Sequence, residues 1–210
     1  AFRAPSFAES GTSLPTLNGN PDLDPEISKT TEFIWVFTKD DILLTTSLYH
    51  TRVIDSIAAI QGLPGTYENT SVNTVAGIES ELLYDIGSDW NIRLSAFNNF
   101  DELVDHSSHS DSTLSAIVNY GRGAWSLNLL ANYHSEREYE LASGYKKLGG
   151  YTLVDSNIIY FATKDLEIYL NAKNLFNKKS ETPFGRIDTD EGIVNSGIVW
   201  ETGFRWNFDL

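Results

Sequence analysis

Four histidines and no cysteine bound the chemistry this chain can do. Two of the histidines stand three apart in Asp105-His106-Ser107-Ser108-His109-Ser110-Asp111. Imidazoles beside carboxylates are the donor types of a transition-metal site. The run also holds Ser, His and Asp, the parts of a nucleophilic triad. Those parts must converge in space, which neighbours along one loop rarely do. A run of small polar residues reads first as a solvated loop. Asp188-Thr189-Asp190-Glu191-Gly192 opens like a calcium loop, but position twelve, where a bidentate Glu is required, is Val199. The absence of cysteine removes thiolate metal sites, disulfides and thiol nucleophiles. The sequence therefore calls for no resident metal, no cofactor and no enzymatic activity.

A second set of residues suits ligand binding. Arg52, Tyr67, Tyr139, Tyr145 and Arg186, with His106 and His109, fall in or beside the longer polar connections. Guanidinium and aromatic groups pair with or stack on an anionic chelate. Loop tips also carry such residues without any ligand. The chain has 29 acidic against 15 basic side chains, a net charge of −14. That balance excludes a general nucleic-acid binder, which needs surplus Lys and Arg. No apolar run approaches the ~18 residues of a membrane-spanning helix. Ala1 to Ser6 lacks the charged and apolar regions of a signal peptide.

The elements that carry these residues follow a period of two. Trp125, Leu127, Leu129, Ala131 and Tyr133 alternate with Ser126, Asn128, Asn132 and His134, Leu130 being the exception. Leu166, Ile168, Leu170 and Ala172 alternate with Glu167, Tyr169, Asn171 and Lys173. The pattern predicts about nine strands, near 28–38, 41–54, 70–86, 89–100, 111–120, 124–137, 149–163, 165–175 and 196–208. Connections alternate between short and long. Short ones fall at Lys39-Asp40, Gly87-Ser88, Gly121-Arg122-Gly123 and Lys164-Asp165; long ones near 55–69, 101–110, 138–148 and 176–195. An up-and-down meander sorts its loops this way, and a Greek-key sandwich does not.

The predicted fold class is all-β: an antiparallel up-and-down transmembrane β-barrel, partial. Strands of about ten residues cross the ~25 Å apolar band when tilted. One phase is apolar and meets lipid, and the other is polar and faces a wet or plugged lumen. Tyr84, Trp90, Tyr120, Trp125, Tyr133, Tyr160, Trp206 and Phe208 fall near strand ends, where a membrane girdle places aromatics. A half-buried soluble sheet also alternates, but it needs a second layer, and the chain has none to spare. Bacterial single-chain barrels have even strand numbers. Nine strands put the two chain ends on opposite edges. The expectation is that 1–27 is an extracellular loop, that 28–210 is the meander, and that at least one strand lies upstream.

Particular residues resemble a known family. Phe2-Arg3-Ala4-Pro5-Ser6 and Gly19-Asn20-Pro21-Asp22-Leu23-Asp24-Pro25-Glu26, followed by Glu32, are similar to boxes of TonB-dependent outer-membrane receptors. Asn174-Leu175-Phe176-Asn177 resembles the box before the last extracellular loop of that family. Gly203, Trp206 and Phe208 in the last strand are similar to the signal read by barrel-assembly machinery. Two departures stand out: Ser196-Gly197-Ile198 replaces the family's Gly-Arg pair, and Asp209-Leu210 follow the last aromatic.

The resemblance implies a barrel of about 22 strands with a plugged lumen, of which this chain would be the C-terminal nine, without the plug. It implies outer-membrane localisation and uptake of a scarce, large solute. A ferric siderophore comes first, ahead of cobalamin, haem or an oligosaccharide. The implied partners are the TonB complex, reached through the N-terminal part, outer-membrane lipid and the assembly machinery. Receptors for haem commonly carry a His between the first two boxes, and none stands between Pro5 and Asn20 here. The alternative is a small complete barrel acting as adhesin or porin, which requires an even strand count. A membrane enzyme using His106 and His109 is the third reading.

Overall fold

The computed structural model describes residues 1–60, 62–70, 72–100, 109–141, 144–182 and 193–208. Seventeen strands and one short helix run in chain order. They are β1 (Phe2–Arg3), α1 (Phe7–Gly11), β2 (Leu17–Asn18), β3 (Glu26–Lys39), β4 (Ile42–Ile54), β5 (Ile57–Ile60) and β6 (Gly65–Asn69). β7 (Asn73–Ile86), β8 (Trp90–Asn99), β9 (Ser112–Arg122), β10 (Trp125–His134), β11 (Arg137–Leu141) and β12 (Gly144–Leu148) follow. β13 (Tyr151–Phe161), β14 (Leu166–Lys173), β15 (Glu181–Thr182), β16 (Ile193–Val194) and β17 (Val199–Trp206) complete the chain.

The main sheet has the order β1-β3-β4-β7-β8-β9-β10-β13-β14-β17. Every pair in it whose register is described runs antiparallel. Among the described residues no pairing joins β17 back to β1, so the sheet is open. Its nine long strands are the nine that the period of two predicts, with no end moved by more than three residues. The short turns follow their chemistry: Asp40, Gly87 and Gly123 take φ of 49°, 60° and 58°, the left-handed region that Gly and Asp tolerate. In the fourth turn the Thr163 hydroxyl accepts from the backbone of Asp165 and Leu166 at 3.2 and 3.1 Å.

The long connections and the first 27 residues differ from the expected loops. β1 adds a tenth, two-residue member to the main sheet, and α1 is a capped turn with Ser6 as N-cap and Glu9 completing the capping box. β5 and β6 with β2, the β11–β12 hairpin, and β15–β16 form small separate sheets. Each such piece spends backbone hydrogen bonds locally, which a long structureless loop would leave to water.

By spatial contact the chain forms two compact units, one within 1–33, 48–77 and 100–104, the other within 34–47, 78–99 and 105–210. The first holds β1, α1, β2, β5 and β6 with parts of β3, β4 and β7. The second holds the remaining strands. The buried apolar side chains among the described residues are Leu23, Leu148 and Ala172 alone. Large apolar residues instead stand exposed on one phase of the strands, Trp35, Leu94, Leu129, Ile168, Phe204 and Trp206 among them. Aromatics pair across that face beside the short turns: Trp90 with Tyr120 at 4.5 Å and Trp125 with Tyr160 at 4.7 Å between ring centroids. On the same face Thr46 and Ser80 share a hydrogen bond of 3.1 Å, satisfying each other. This is a sheet built for an apolar medium on one side.

Candidate functional site

The first unit is organised by the sequence boxes. Arg3 Nε donates to Glu26 Oε2 at 2.6 Å, and Arg3 Nη1 spans both oxygens of Glu9 at 3.0 and 2.9 Å. Glu26 Oε1 accepts from the backbone of Ile57 at 2.7 Å, and Glu9 Oε2 from the backbone of Ser6 at 2.7 Å. One guanidinium thereby ties β1, α1, β3 and β5 together. The pairing with Arg3 and the Ser6 bonds hold the Glu9 carboxyl down at about 2. Glu26 is held below the ordinary carboxylate range by Arg3, against a smaller opposing effect of burial.

The second box docks on the β5–β6 hairpin. Asn20 Oδ1 accepts from Asp22 N at 2.9 Å while its Nδ2 donates to the Tyr67 carbonyl at 3.0 Å. Asn69 accepts from Asp24 N at 2.8 Å and donates to the carbonyls of Asp24 and Asp55 at 2.9 and 2.8 Å. Pro21 and Pro25 stiffen the backbone between these anchors, and Leu23 is buried. A Cβ on Gly19 would fall 2.6 Å from Thr12 N, so only glycine fits there.

In the second unit Asn174 ends β14 with φ of 51° and is buried. Its Oδ1 accepts from Lys178 N at 2.8 Å, and its Nδ2 donates to the carbonyls of Lys178 and Ser196 at 2.9 and 3.1 Å. Its backbone N donates to Asp155 Oδ1 at 2.7 Å. Asn177 Oδ1 accepts from Ile198 N at 3.0 Å and would stand 2.5 Å from a Cβ on Gly197. A side chain at Gly197 would push the Asn177 amide away from Ile198 N.

The polar face of the second unit carries a feature that the sequence reading missed. Asn91, Asn119, Asn128, Asn157, Asn171 and Glu201 stand opposite one another in turn across β8, β9, β10, β13, β14 and β17. Their amides bond sideways. Asn128 Nδ2 donates to Asn119 Oδ1, Asn119 Nδ2 to Asn91 Oδ1 at 3.1 Å, and Asn91 Nδ2 to Asp85 Oδ1 at 2.7 Å. In the other direction Asn157 Nδ2 donates to Asn171 Oδ1, and Asn171 Nδ2 reaches Glu201 Oε2 at 3.5 Å. Periodicity placed Asn128 and Asn171 on the polar phase. Only the strand register, fixed by turn length, lines them up.

Apolar-out, polar-in strands and the clustered boxes agree with the family comparison. The family model described as TonB dependent receptor-like, beta-barrel, matches residues 1–175. The chain belongs to the TonB-dependent receptor family. Proteins of this family reside in the outer membrane of Gram-negative bacteria. The chain is 28% identical to the vitamin B12 transporter BtuB of Vibrio vulnificus (strain YJ016) over 219 residues, 99% of this chain and 33% of that protein. Among solved structures, the siderophore receptor PirA of Acinetobacter baumannii aligns with TM-score 0.74 at 18% identity, over 91% of this chain and 33% of that one. The copper transporter OprC aligns with TM-score 0.74 at 18% identity, over 99% and 36%. The ferripyoverdine receptor of Pseudomonas aeruginosa, bound to ferripyoverdine, aligns with TM-score 0.74 at 16% identity, over 89% and 28%. The chain thus spans about a third of the length of these relatives.

Within this TonB-dependent receptor chain the expected ligand-binding residues scatter. Arg52 is exposed on β4, and Tyr67 lies on β6 with its carbonyl engaged by Asn20. His109 is exposed just before β9. Tyr139 and Tyr145 lie on the β11–β12 hairpin, in register with Lys146 and Glu140. His106, Arg186 and the Asp188 to Gly192 run lie outside the described residues.

A cluster that sequence reasoning did not single out sits beside that hairpin. Arg137 lies over the Tyr151 ring at 5.2 Å, and His134 stacks on the same ring at 5.1 Å. Arg137 Nη2 donates to the Glu181 carbonyl at 2.5 Å, and Lys146 pairs with Glu181 Oε1 at 2.7 Å. The partners are distant in sequence, so spacing could not reveal them.

Proposed function

We propose that this chain belongs to an outer-membrane receptor that imports a scarce, large solute by energy drawn through TonB, and that the solute is a ferric siderophore. Family membership across residues 1–175 carries the reading. Siderophore and ferripyoverdine receptors stand among its structural neighbours. Binding would fall to the longer connections, in or beside which the sequence puts Arg52, Tyr67, His106, His109, Tyr139, Tyr145 and Arg186, offering cations, aromatics and imidazoles to an anionic chelate. The chain would act as barrel wall, not as an enzyme. Insertion would use the assembly machinery through Gly203, Trp206 and Phe208. The open order of the main sheet weighs against a small closed barrel, which would pair its first and last strands.

A second reading rests on one observation: the curated relative is a vitamin B12 transporter matched over 99% of this chain. One experiment separates the two. The gene is deleted in its own host, and growth is scored on ferric siderophores as sole iron source and on cobalamin as sole corrinoid. Loss of iron-limited growth, reproduced by deleting tonB, supports siderophore uptake. Loss of cobalamin-dependent growth alone selects the second reading. No defect in either overturns both.

A further inference from the structure

The apolar face of β3 and β4 changes character in three steps. β3 ends at Lys39 and β4 begins at Ile42, so the two-residue Asp40-Asp41 turn pairs these neighbouring strands antiparallel. Counting back along both from that turn brings Thr30 opposite Thr51, and their hydroxyls share a hydrogen bond of 2.8 Å. These two threonines lie on the polar face. The residues that alternate with them lie on the apolar face, where Phe33 stands opposite Leu48, Thr31 opposite His50 and Lys29 opposite Arg52. Phe33 and Leu48 are 65% and 44% exposed, and Lys29, His50 and Arg52 are exposed too. Away from the turn the face thus passes from an apolar row, through a polar row, to a row of two cations.

Like charges directly opposite one another weaken a sheet, so the cation row calls for an anion. The chain has 29 acidic side chains. Yet on the apolar phase of the nine long strands every charged residue is basic: Lys29, Lys39, Arg52 and Arg122. At the short-turn end carboxylates stand close by. Arg122 pairs with Asp89 at 3.6 Å, and Asp40 and Asp41 follow Lys39 directly. At the other end Lys29 and Arg52 have Ser28, Thr30, Thr51 and Val53 as chain neighbours, and the carboxylates of β3, Glu26 and Glu32, fall on the opposite face. Long basic side chains beside an apolar surface lay their stems along it and carry the charge to its polar edge. At a membrane that edge is the level of the lipid headgroups, where anionic lipids attract Lys and Arg.

We propose that Lys29 and Arg52, with His50 beside them, bind the phosphate of an anionic membrane lipid whose acyl chains lie over Phe33 and Leu48. Two things select a lipid as occupant: the charge it must carry, and the continuity of the cation row with the apolar face that the membrane covers. The site rests on the family's place in the outer membrane and not on which solute is imported. Arg52 also stands among the residues offered to the solute, but the experiment below contains no solute, so the two readings fail separately.

The test is native mass spectrometry of the full-length protein in a neutral detergent, with equal amounts of dimyristoyl phosphatidic acid and dimyristoyl phosphatidylcholine. The two lipids share chains and phosphate, and choline cancels the charge of the second. The expected result is an excess of bound phosphatidic acid that falls about five-fold in Lys29→Gln and in Arg52→Gln. Arg93→Gln makes the same charge change on the polar face, where Arg93 pairs with Glu81, and should leave the excess as it is. Lys29→Glu separates binding from folding. A Glu opposite Arg52 forms a cross-strand ion pair, so this form should melt no lower than wild type in detergent alone and still lose the excess. No excess in wild type, an equal fall in Arg93→Gln, a Lys29→Glu form that melts lower, or an excess that survives Lys29→Glu overturns the proposal. An excess abolished by inorganic phosphate also overturns it, by assigning the row to soluble anions.

Discussion

The Tyr169 ring fills the space that a side chain on Gly203 would occupy. The two residues face each other across β14 and β17, and a Cβ built on Gly203 would stand 2.5 Å from the Tyr169 hydroxyl and 2.7 Å from its Cζ. Glycine weakens a strand, and an aromatic laid over it restores contact. Gly203→Ala in the full-length protein is expected to cost about 1–3 kcal/mol, the range for overpacking. Removing the ring as well, with Tyr169→Ala, should recover part of that loss. Urea unfolding of the two single variants and the double variant gives the coupling energy. Additive losses would mean that the ring and the glycine do not constrain each other.

The Arg3 cluster makes a prediction about pH. Glu9 is held at about 2 by Arg3 and Ser6, and Glu26 is lowered mainly by Arg3. A carboxyl lowered on folding contributes stability above its unfolded value and loses it as pH falls through the folded one. The first segment should therefore resist proteolysis at neutral pH and open progressively as pH drops from the ordinary carboxylate range towards about 2. Arg3→Ala should open it already at neutral pH and flatten the profile. The arginine is exposed, so the effect should be local, with the barrel strands unchanged in circular dichroism.

The strands were legible because burial on one face writes a period of two into every long segment. Asp40, Gly87 and Gly123 marked the turns because few other residues tolerate positive φ. The boxes were legible as resemblance, but not their reason. That Arg3 reaches both Glu9 and Glu26 depends on chain reversals which no spacing reveals. The asparagine row was hidden for the same cause. Asn119 and Asn157 look like ordinary polar positions until register sets them beside Asn91, Asn128 and Asn171. The small separate sheets were read as loops, since four- and five-residue strands give too few alternations to show a period.

Asn174 should tolerate no substitution well, and the order of losses identifies what it does. Its φ of 51° suits Asn and Gly, and both ends of its amide are bonded. Asn174→Gly keeps the backbone but loses three hydrogen bonds. Asn174→Ala loses the same bonds and adds left-handed strain of about 1 kcal/mol. Asn174→Asp keeps the acceptor for Lys178 N but turns a charge on two carbonyls, and should be worst in a buried position. The expected ranking by thermal midpoint is Asn, Gly, Ala, Asp. An Asp form equal to wild type would show that the two donated bonds carry no weight.

The link between the β11–β12 hairpin and β15 should rest on Arg137 more than on Lys146. Lys146 holds Glu181 by a partly exposed ion pair, a type worth about 0.2–1 kcal/mol and weakened by salt. Arg137 instead bonds the Glu181 carbonyl and covers the Tyr151 ring. Glu181→Gln leaves both of those contacts standing, so hydrogen exchange across 137–148 should rise only slightly. Arg137→Ala removes the bond and a cation–π contact of about 0.5–2 kcal/mol. Exchange across the hairpin should then rise several-fold, little affected by salt. Equal exchange in the two variants would place the link in the ion pair. Arg137→Lys keeps the charge but loses the planar fork, so it should fall between them, nearer to Ala if the carbonyl bond dominates.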